Sequence, residues 1–166
     1  MNLQKLLYKV SFVKIVGTTN IEVTDIVFDS RKVKSASLFV ALKGTKSDGH
    51  DYILQTINSG AKVIVLEDIP SNLDDEITYI KVEDSNFALG IIAANFYDNP
   101  SEKIKLIGLT GTNGKTTIVS LLSQLFSIMN VKVGMLSTIQ NKIIDKIIPS
   151  THTTPDALQI NFLLNE

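Results

Sequence analysis

The sequence predicts an α/β fold in two parts, a complete domain over residues 1–100 and the start of a second parallel-sheet domain over 103–166. Three observations carry this. Short apolar runs at 38–42, 62–66 and 79–82 alternate with helix-length segments, the pattern of parallel strands joined by crossovers. The break Asn99-Pro100-Ser101 ends one helical pattern before a new strand begins. At 166 residues, of which 44 % are hydrophobic, the chain is too apolar for disorder and long enough for one domain plus part of another.

The elements follow in order. Leu3, Leu6, Leu7 and Val10 share one helical face, so a short N-terminal helix is expected. Residues 21–28 alternate loosely (Ile21, Val23, then Ile26-Val27-Phe28) and read as a strand. The run 38–42 is a strand ended by the turn pair Lys43-Gly44. A helix over 52–59 has Ile53 and Ile57 on one face and Gly60 as its stop. Strands are expected at 62–66 and 79–82. Asp84 or Ser85 can cap a helix over 86–97 that buries Ala88, Ile91, Ile92 and Phe96.

Past the break, 104–109 reads as a strand, then a glycine-rich turn, then a helix. Ile118, Leu121, Leu122, Leu125, Phe126 and Met129 form one broad stripe on that helix. A strand at 131–136 completes a strand–helix–strand unit, for which a parallel sheet with a right-handed crossover is the expected arrangement.

Composition excludes several classes. Sixteen Lys+Arg against seventeen Asp+Glu give a net charge of -1, without the basic surplus that phosphate backbones demand, so no nucleic-acid partner is expected. The absence of cysteine rules out disulfides and thiolate metal sites. Gln4, Lys5, Tyr8 and Lys9 interrupt the N-terminal apolar positions, so no secretory signal is read there. No uncharged apolar stretch of about 18 residues exists to span a bilayer. A cytoplasmic protein without a membrane partner is the expectation.

Thr110-Gly111-Thr112-Asn113-Gly114-Lys115-Thr116-Thr117 carries the most chemistry. It lies between an apolar strand and an amphipathic helix, where a phosphate loop belongs. Small residues let backbone N–H groups close around phosphate oxygens, and the helix N-terminus adds partial positive charge. In this reading Lys115 contacts the β- and γ-phosphates and the Thr116 hydroxyl ligates Mg²⁺. The strict P-loop motif places a glycine five positions before Gly114; here that position is Leu109, with the glycine one earlier at Gly108. The plainer alternative is a glycine turn with an exposed lysine.

This shortened loop resembles that of the Mur ligase family. The resemblance extends to Asp29-Ser30-Arg31, to residues 37–44 (Ser-Leu-Phe-Val-Ala-Leu-Lys-Gly), to Asp48-Gly49-His50 and to Gly60-Ala61. These are similar to the N-terminal domain shared by the third and fourth amino-acid-adding enzymes of peptidoglycan synthesis. Residues 151–157 (Thr-His-Thr-Thr-Pro-Asp-Ala) resemble the segment that follows in the third. The implied fold is a Rossmann-like UDP-substrate domain followed by the start of a P-loop ATPase domain.

What the resemblance implies can be assigned residue by residue. Gly111, Thr112, Asn113, Gly114, Lys115, Thr116 and Thr117 would bind ATP, with Lys115 catalytic and Thr116 the metal ligand. Phe28 and Ser30 would contact the uridine diphosphate, as would the loop Thr45-Lys46-Ser47 through its backbone. Thr153 and Thr154 would hold the N-acetylmuramoyl-peptide part, with His152 a further contact. Without the resemblance, Asp29-Ser30-Arg31 reads first as a turn with a surface arginine, and Thr154-Pro155-Asp156 equally as a helix start. His50 reads as structural, because no nucleophile–base pair is evident around it.

The implied reaction is ATP-dependent amide formation: a diamino acid, with meso-diaminopimelate favoured, joins UDP-N-acetylmuramoyl-L-alanyl-D-glutamate through an acyl phosphate. Family members are about three times longer, so this chain is expected to be an N-terminal fragment, inactive alone and monomeric. The fourth enzyme, which adds D-alanyl-D-alanine, is the alternative within the family. A nucleotide-binding module without catalysis, or a fold without ligand, are the alternatives outside it.

Overall fold

The computed structural model describes residues 1–44, 47–149 and 155–166. Its chain divides into two compact units, Met1–Asp98 and Asn99–Glu166.

The first unit is a five-stranded sheet of order β1-β5-β4-β3-β2. Strands β2 (Ile26–Val27), β3 (Leu38–Val40), β4 (Val63–Leu66) and β5 (Thr78–Lys81) run parallel, and β1 (Lys14–Val16) closes the β5 edge antiparallel. Three of these strands are those the apolar runs predict. The expected strand over 21–28 is paired as a strand only at Ile26–Val27, while Glu22 makes an isolated bridge to Asn2. Strand β1 is not legible in the pattern: Lys14-Ile15-Val16 is too short to alternate and is nowhere fully buried.

Both faces of the parallel sheet are covered, which is why its strands read as continuous apolar runs. On one face Phe39, Ile64, Leu66 and Tyr79 pack with Ile53 of α2 (Ile53–Asn58) and Ala61, Ile57 lying against them. The alternate residues Leu38, Val40, Val63, Val65 and Ile80 point the other way and are fully buried too. Helices α1 (Leu3–Leu6) and α3 (Ser85–Phe96) pack together, and the Asn95 amide donates to the Leu6 and Tyr8 carbonyls at 2.9 and 2.6 Å. Gly60 ends the α2 turn with φ +106°, where a Cβ would come within 3.0 Å of the Ser35 Cα, so both backbone conformation and space require glycine.

Asp84 caps α3, its Oδ1 accepting the Phe87 N–H at 2.9 Å. The helix buries Ala88, Leu89, Ile92 and Ala93, whereas Ile91 and Phe96 are half-buried. The helix is apolar nearly all round, so the inward stripe is chosen by the sheet. The Phe96 ring instead meets Tyr97 edge-on at 5.2 Å.

The second unit contains α4 (Lys115–Ile128), an antiparallel sheet of β6 (Gly134–Leu136), β7 (Gln140–Ile143) and β8 (Lys146–Pro149), and α5 (Ala157–Asn165). Two details differ from the sequence reading. Residues 104–109 form no ladder, and the described strands pair as a meander rather than as a parallel strand–helix–strand unit. A parallel strand exists only through its neighbours, and Ile104, Leu106, Ile107 and Leu109 are exposed without one. The stripe on α4 is likewise uncovered at Ile118, Leu121, Leu125 and Met129. Met135 and Leu163 are the buried hydrophobic residues described in this unit.

Candidate functional sites

The carboxyl ends of parallel strands are where α/β sheets present ligand-binding loops. Here β2 and β3 are neighbours, so the segments that leave them are neighbours also. Phe28 and Ser30, both half-buried, follow β2 directly. The 3₁₀ turn Ser30–Lys32 is capped by Asp29, whose carboxylate accepts the Arg31 N–H at 3.1 Å and pairs with the guanidinium at 2.9 and 2.8 Å. That fork holds the Asp29 carboxyl at about 2.

The segment after β3 folds back on itself. Gly44 N–H donates to the Ser47 carbonyl at 3.1 Å, Lys43 and Asp48 form a bridge, and Gly49 N–H donates to Leu42 at 2.8 Å. A Cβ on Gly49 would meet the Leu42 nitrogen at 2.7 Å, so the crossing of the two limbs requires glycine. Ser47 is exposed on this loop. Thr45 and Lys46 lie outside the described residues, as do His152, Thr153 and Thr154.

A polar network that the sequence reading does not contain joins the carboxyl ends of three strands. Lys43 Nζ lies 2.8 Å from Asp68 Oδ2 and 3.1 Å from Glu67 Oε2. The other Glu67 oxygen accepts the Ser85 N–H at 3.0 Å and the Ser85 hydroxyl at 2.8 Å. The Ser85 backbone bond is the leading cause that lowers the Glu67 carboxyl, and Lys43 lowers it further. Asp68, then Glu67, raise the Lys43 ammonium in return. The Lys43 charge is therefore committed within the protein. The sequence signal for this network is thin: a Glu-Asp pair after one strand, a lysine after its neighbour and an Asp-Ser pair after the next.

In the second unit, Gly114 takes φ +79° and α4 starts at Lys115, with Ile118 N–H closing the first turn onto the Gly114 carbonyl at 2.9 Å. Lys115, Thr116 and Thr117 supply the first N–H groups, which have no intrahelical acceptor. Gly111 takes φ +147°, and the residues from Gly111 to Lys115 are all exposed. The Lys115 ammonium folds back over this loop, donating to the Gly111 carbonyl and, at 3.4 Å, to that of Thr112. Helix-start amides without an intrahelical acceptor, a left-handed glycine and a lysine across the loop are the groups from which anion-binding nests are built. Thr116 Oγ1 stands 3.4 Å from Thr138 Oγ1. Two neutral oxygen donors suit Mg²⁺, which takes few protein ligands beside phosphate and water. Among the described residues no cluster of three or more His, Cys, Asp or Glu exists to cage a metal entirely.

A parallel α/β domain with polar loops at its carboxyl edge is thus followed by a glycine turn that opens a helix, the local arrangement in which α/β proteins present backbone amides to a phosphate. The chain belongs to the Mur ligase family: the model described as "Mur ligase family, catalytic domain" matches residues 22–97, and that of the "Mur ligase middle domain" matches 109–166. A UDP-N-acetylmuramoyl-L-alanyl-D-glutamate--2,6-diaminopimelate ligase of Cytophaga hutchinsonii is 51 % identical over 165 residues, 99 % of this chain and 34 % of that protein. The chain thus spans about a third of the length of the curated relatives it matches. A solved structure of a ligase with the same description shares the fold at TM-score 0.72, with 22 % identity across 99 % of this chain and 33 % of that one. The MurF ligase of Thermotoga maritima, solved in complex with ADP, is 34 % identical over 63 % of this chain and 23 % of its own, at TM-score 0.50.

Proposed function

We propose that this chain supplies the UDP-substrate domain and the phosphate loop of an ATP-dependent ligase that adds 2,6-diaminopimelate, in its meso form, to UDP-N-acetylmuramoyl-L-alanyl-D-glutamate. The observation that carries the reading is identity at the level of half the residues, sustained along the whole chain, to a ligase of that description. Residues 1–100 hold the uridine diphosphate at the carboxyl edge of the sheet, through Phe28, Ser30 and the backbone of 45–47. Residues 103–166 hold the nucleotide triphosphate through the loop from Gly111 to Thr117, and the peptide through His152, Thr153 and Thr154.

The γ-phosphoryl group moves from ATP to the terminal carboxylate of D-glutamate, leaving ADP and an acyl phosphate. The amine of the diamino acid then attacks the acyl carbon, loses a proton and expels phosphate. Two anions must be held together during this, and the Lys115 ammonium and the helix-start amides do so by orientation and charge. Mg²⁺, when held by the Thr116 hydroxyl, screens the phosphate oxygens. Nucleotide-activated precursors and ATP are cytoplasmic substrates, so the work is assigned to the cytoplasm.

Calorimetry on the chain tests this. UDP-N-acetylmuramoyl-L-alanyl-D-glutamate is expected to bind, and its diaminopimelate-extended product to bind more weakly. The reverse order favours the D-alanyl-D-alanine-adding ligase. Binding of Mg·ADP without steady ADP release from ATP is expected of these 166 residues alone, because they match a third of the relatives' length. Sustained turnover by the isolated chain would overturn that expectation.

A further inference from the structure

His50 stands on the 3₁₀ turn Gly49–Tyr52, with its side chain only 13 % exposed. Its Nδ1 lies 2.6 Å from Asp48 Oδ1, and its own backbone N–H donates to the same oxygen at 2.9 Å. On the far side of the ring, Nε2 accepts the Glu67 N–H at 3.0 Å and, more loosely, the Asp68 N–H at 3.4 Å. Backbone amides can only donate, so Nε2 presents a lone pair. The ring is therefore neutral with its proton on Nδ1, and Asp48 fixes that tautomer.

The loop after β3 is tied down at both of its ends to the same two residues. Lys43, at its start, reaches the Glu67 and Asp68 carboxylates through a flexible stem. His50, just past its end, takes their backbone N–H groups on a rigid ring. An exposed ammonium pair is screened and tolerant of angle, whereas an imidazole wedged between a carboxylate and an amide sets direction. We propose that His50 is the positioning residue of the uridine-diphosphate loop: by clasping the bridged limbs Lys43-Gly44 and Ser47-Asp48 to the carboxyl end of β4, it sets where that loop leaves and rejoins the sheet edge. This rests on the assignment of that loop to the uridine diphosphate made above.

Two substitutions separate the two halves of the clasp. In His50→Asn the amide nitrogen can still donate to Asp48, but nothing reaches the Glu67 N–H. In His50→Gln the side-chain oxygen reaches the former Nε2 position and accepts that N–H. Uridine diphosphate is titrated by calorimetry into the wild-type chain and both variants. The expected result is about a tenfold loss of affinity for His50→Asn and recovery to within about threefold for His50→Gln. Long-range ¹H–¹⁵N correlation spectra of the wild-type imidazole, without ligand, are expected to show the proton on Nδ1. A proton on Nε2 overturns the clasp whatever the variants do. Equal affinities of wild type and folded His50→Asn overturn the positioning role alone. A wild-type chain that does not bind uridine diphosphate overturns the loop assignment, and the positioning role with it, even if the tautomer is as expected.

Discussion

Lys115 is the residue on which the nucleotide reading turns. Its ammonium already lies across the phosphate loop, within reach of the Gly111 and Thr112 carbonyls. Lys115→Ala is expected to weaken Mg·ADP binding by about ten- to a hundredfold, the worth of one charge-assisted bond to phosphate, as read by calorimetry. Glu67 is the corresponding test of the carboxyl-edge network. Glu67→Gln keeps the shape but weakens its bonds to Ser85, and a loss of about 1–2 kcal/mol in urea denaturation is expected. Asp29 gives the pH dependence. Its carboxyl is lowered from 3.8 to about 2 in the folded chain, chiefly by the Arg31 fork. A depressed carboxylate stabilises the fold above its unfolded value, and the contribution fades as pH falls from 3.8 toward 2. The stability gap between wild type and Asp29→Asn should therefore shrink across that window and stay flat above it. The effect is small, because Arg31 is well exposed and solvent screens the pair. At this scale the sequence displays motif residues one by one, such as Ser30 and Lys115. It does not display pairings between distant positions, so the union of Lys43, His50, Glu67 and Ser85 emerges only when three strand ends meet.

At the scale of elements, local signals and partner-dependent ones part company. Asp84 ahead of α3 is readable because capping is local; Asp84→Ala is expected to cost about 1 kcal/mol and to quicken hydrogen exchange in the first turn of α3. Gly60 is readable for the same reason. Gly60→Ala forces a left-handed φ on a residue with a Cβ 3.0 Å from Ser35, and a loss of at least about 1–2 kcal/mol in urea denaturation is expected. Strands β3 and β4 are legible because burial on both faces leaves an unbroken apolar run, and β5 because Tyr79 and Ile80 at its centre, with Val82 just past it, are apolar. Strand β1 is not, since its three residues owe their conformation to the open edge of β5 rather than to their own pattern. The opposite error falls on 104–109, where the pattern is that of a strand but no strand among the described residues pairs with it.

At the scale of the whole molecule, the two units differ in how much apolar surface they cover. The first encloses Phe39, Ile64, Tyr79 and Ile80 almost completely. The second leaves Leu121, Leu125 and Ile128 on α4, with Leu106 and Ile107 before it, open to water. Burial at about 25 cal/mol per Å² is the main source of stability, so the units should not unfold together. Hydrogen exchange is expected to show protected amides in β3, β4 and β5 and rapid exchange across α4. Limited proteolysis should leave a stable core ending near Asp98; uniform protection across all 166 residues would contradict this. Every pairing of the five-stranded sheet, from β1 with β5 to β2 with β3, closes among residues that precede Asp98. That confinement has a meaning in time. During translation these residues emerge over about 5–20 s, far longer than a small domain needs to fold. The first unit can thus be finished on the ribosome while the second is still being made.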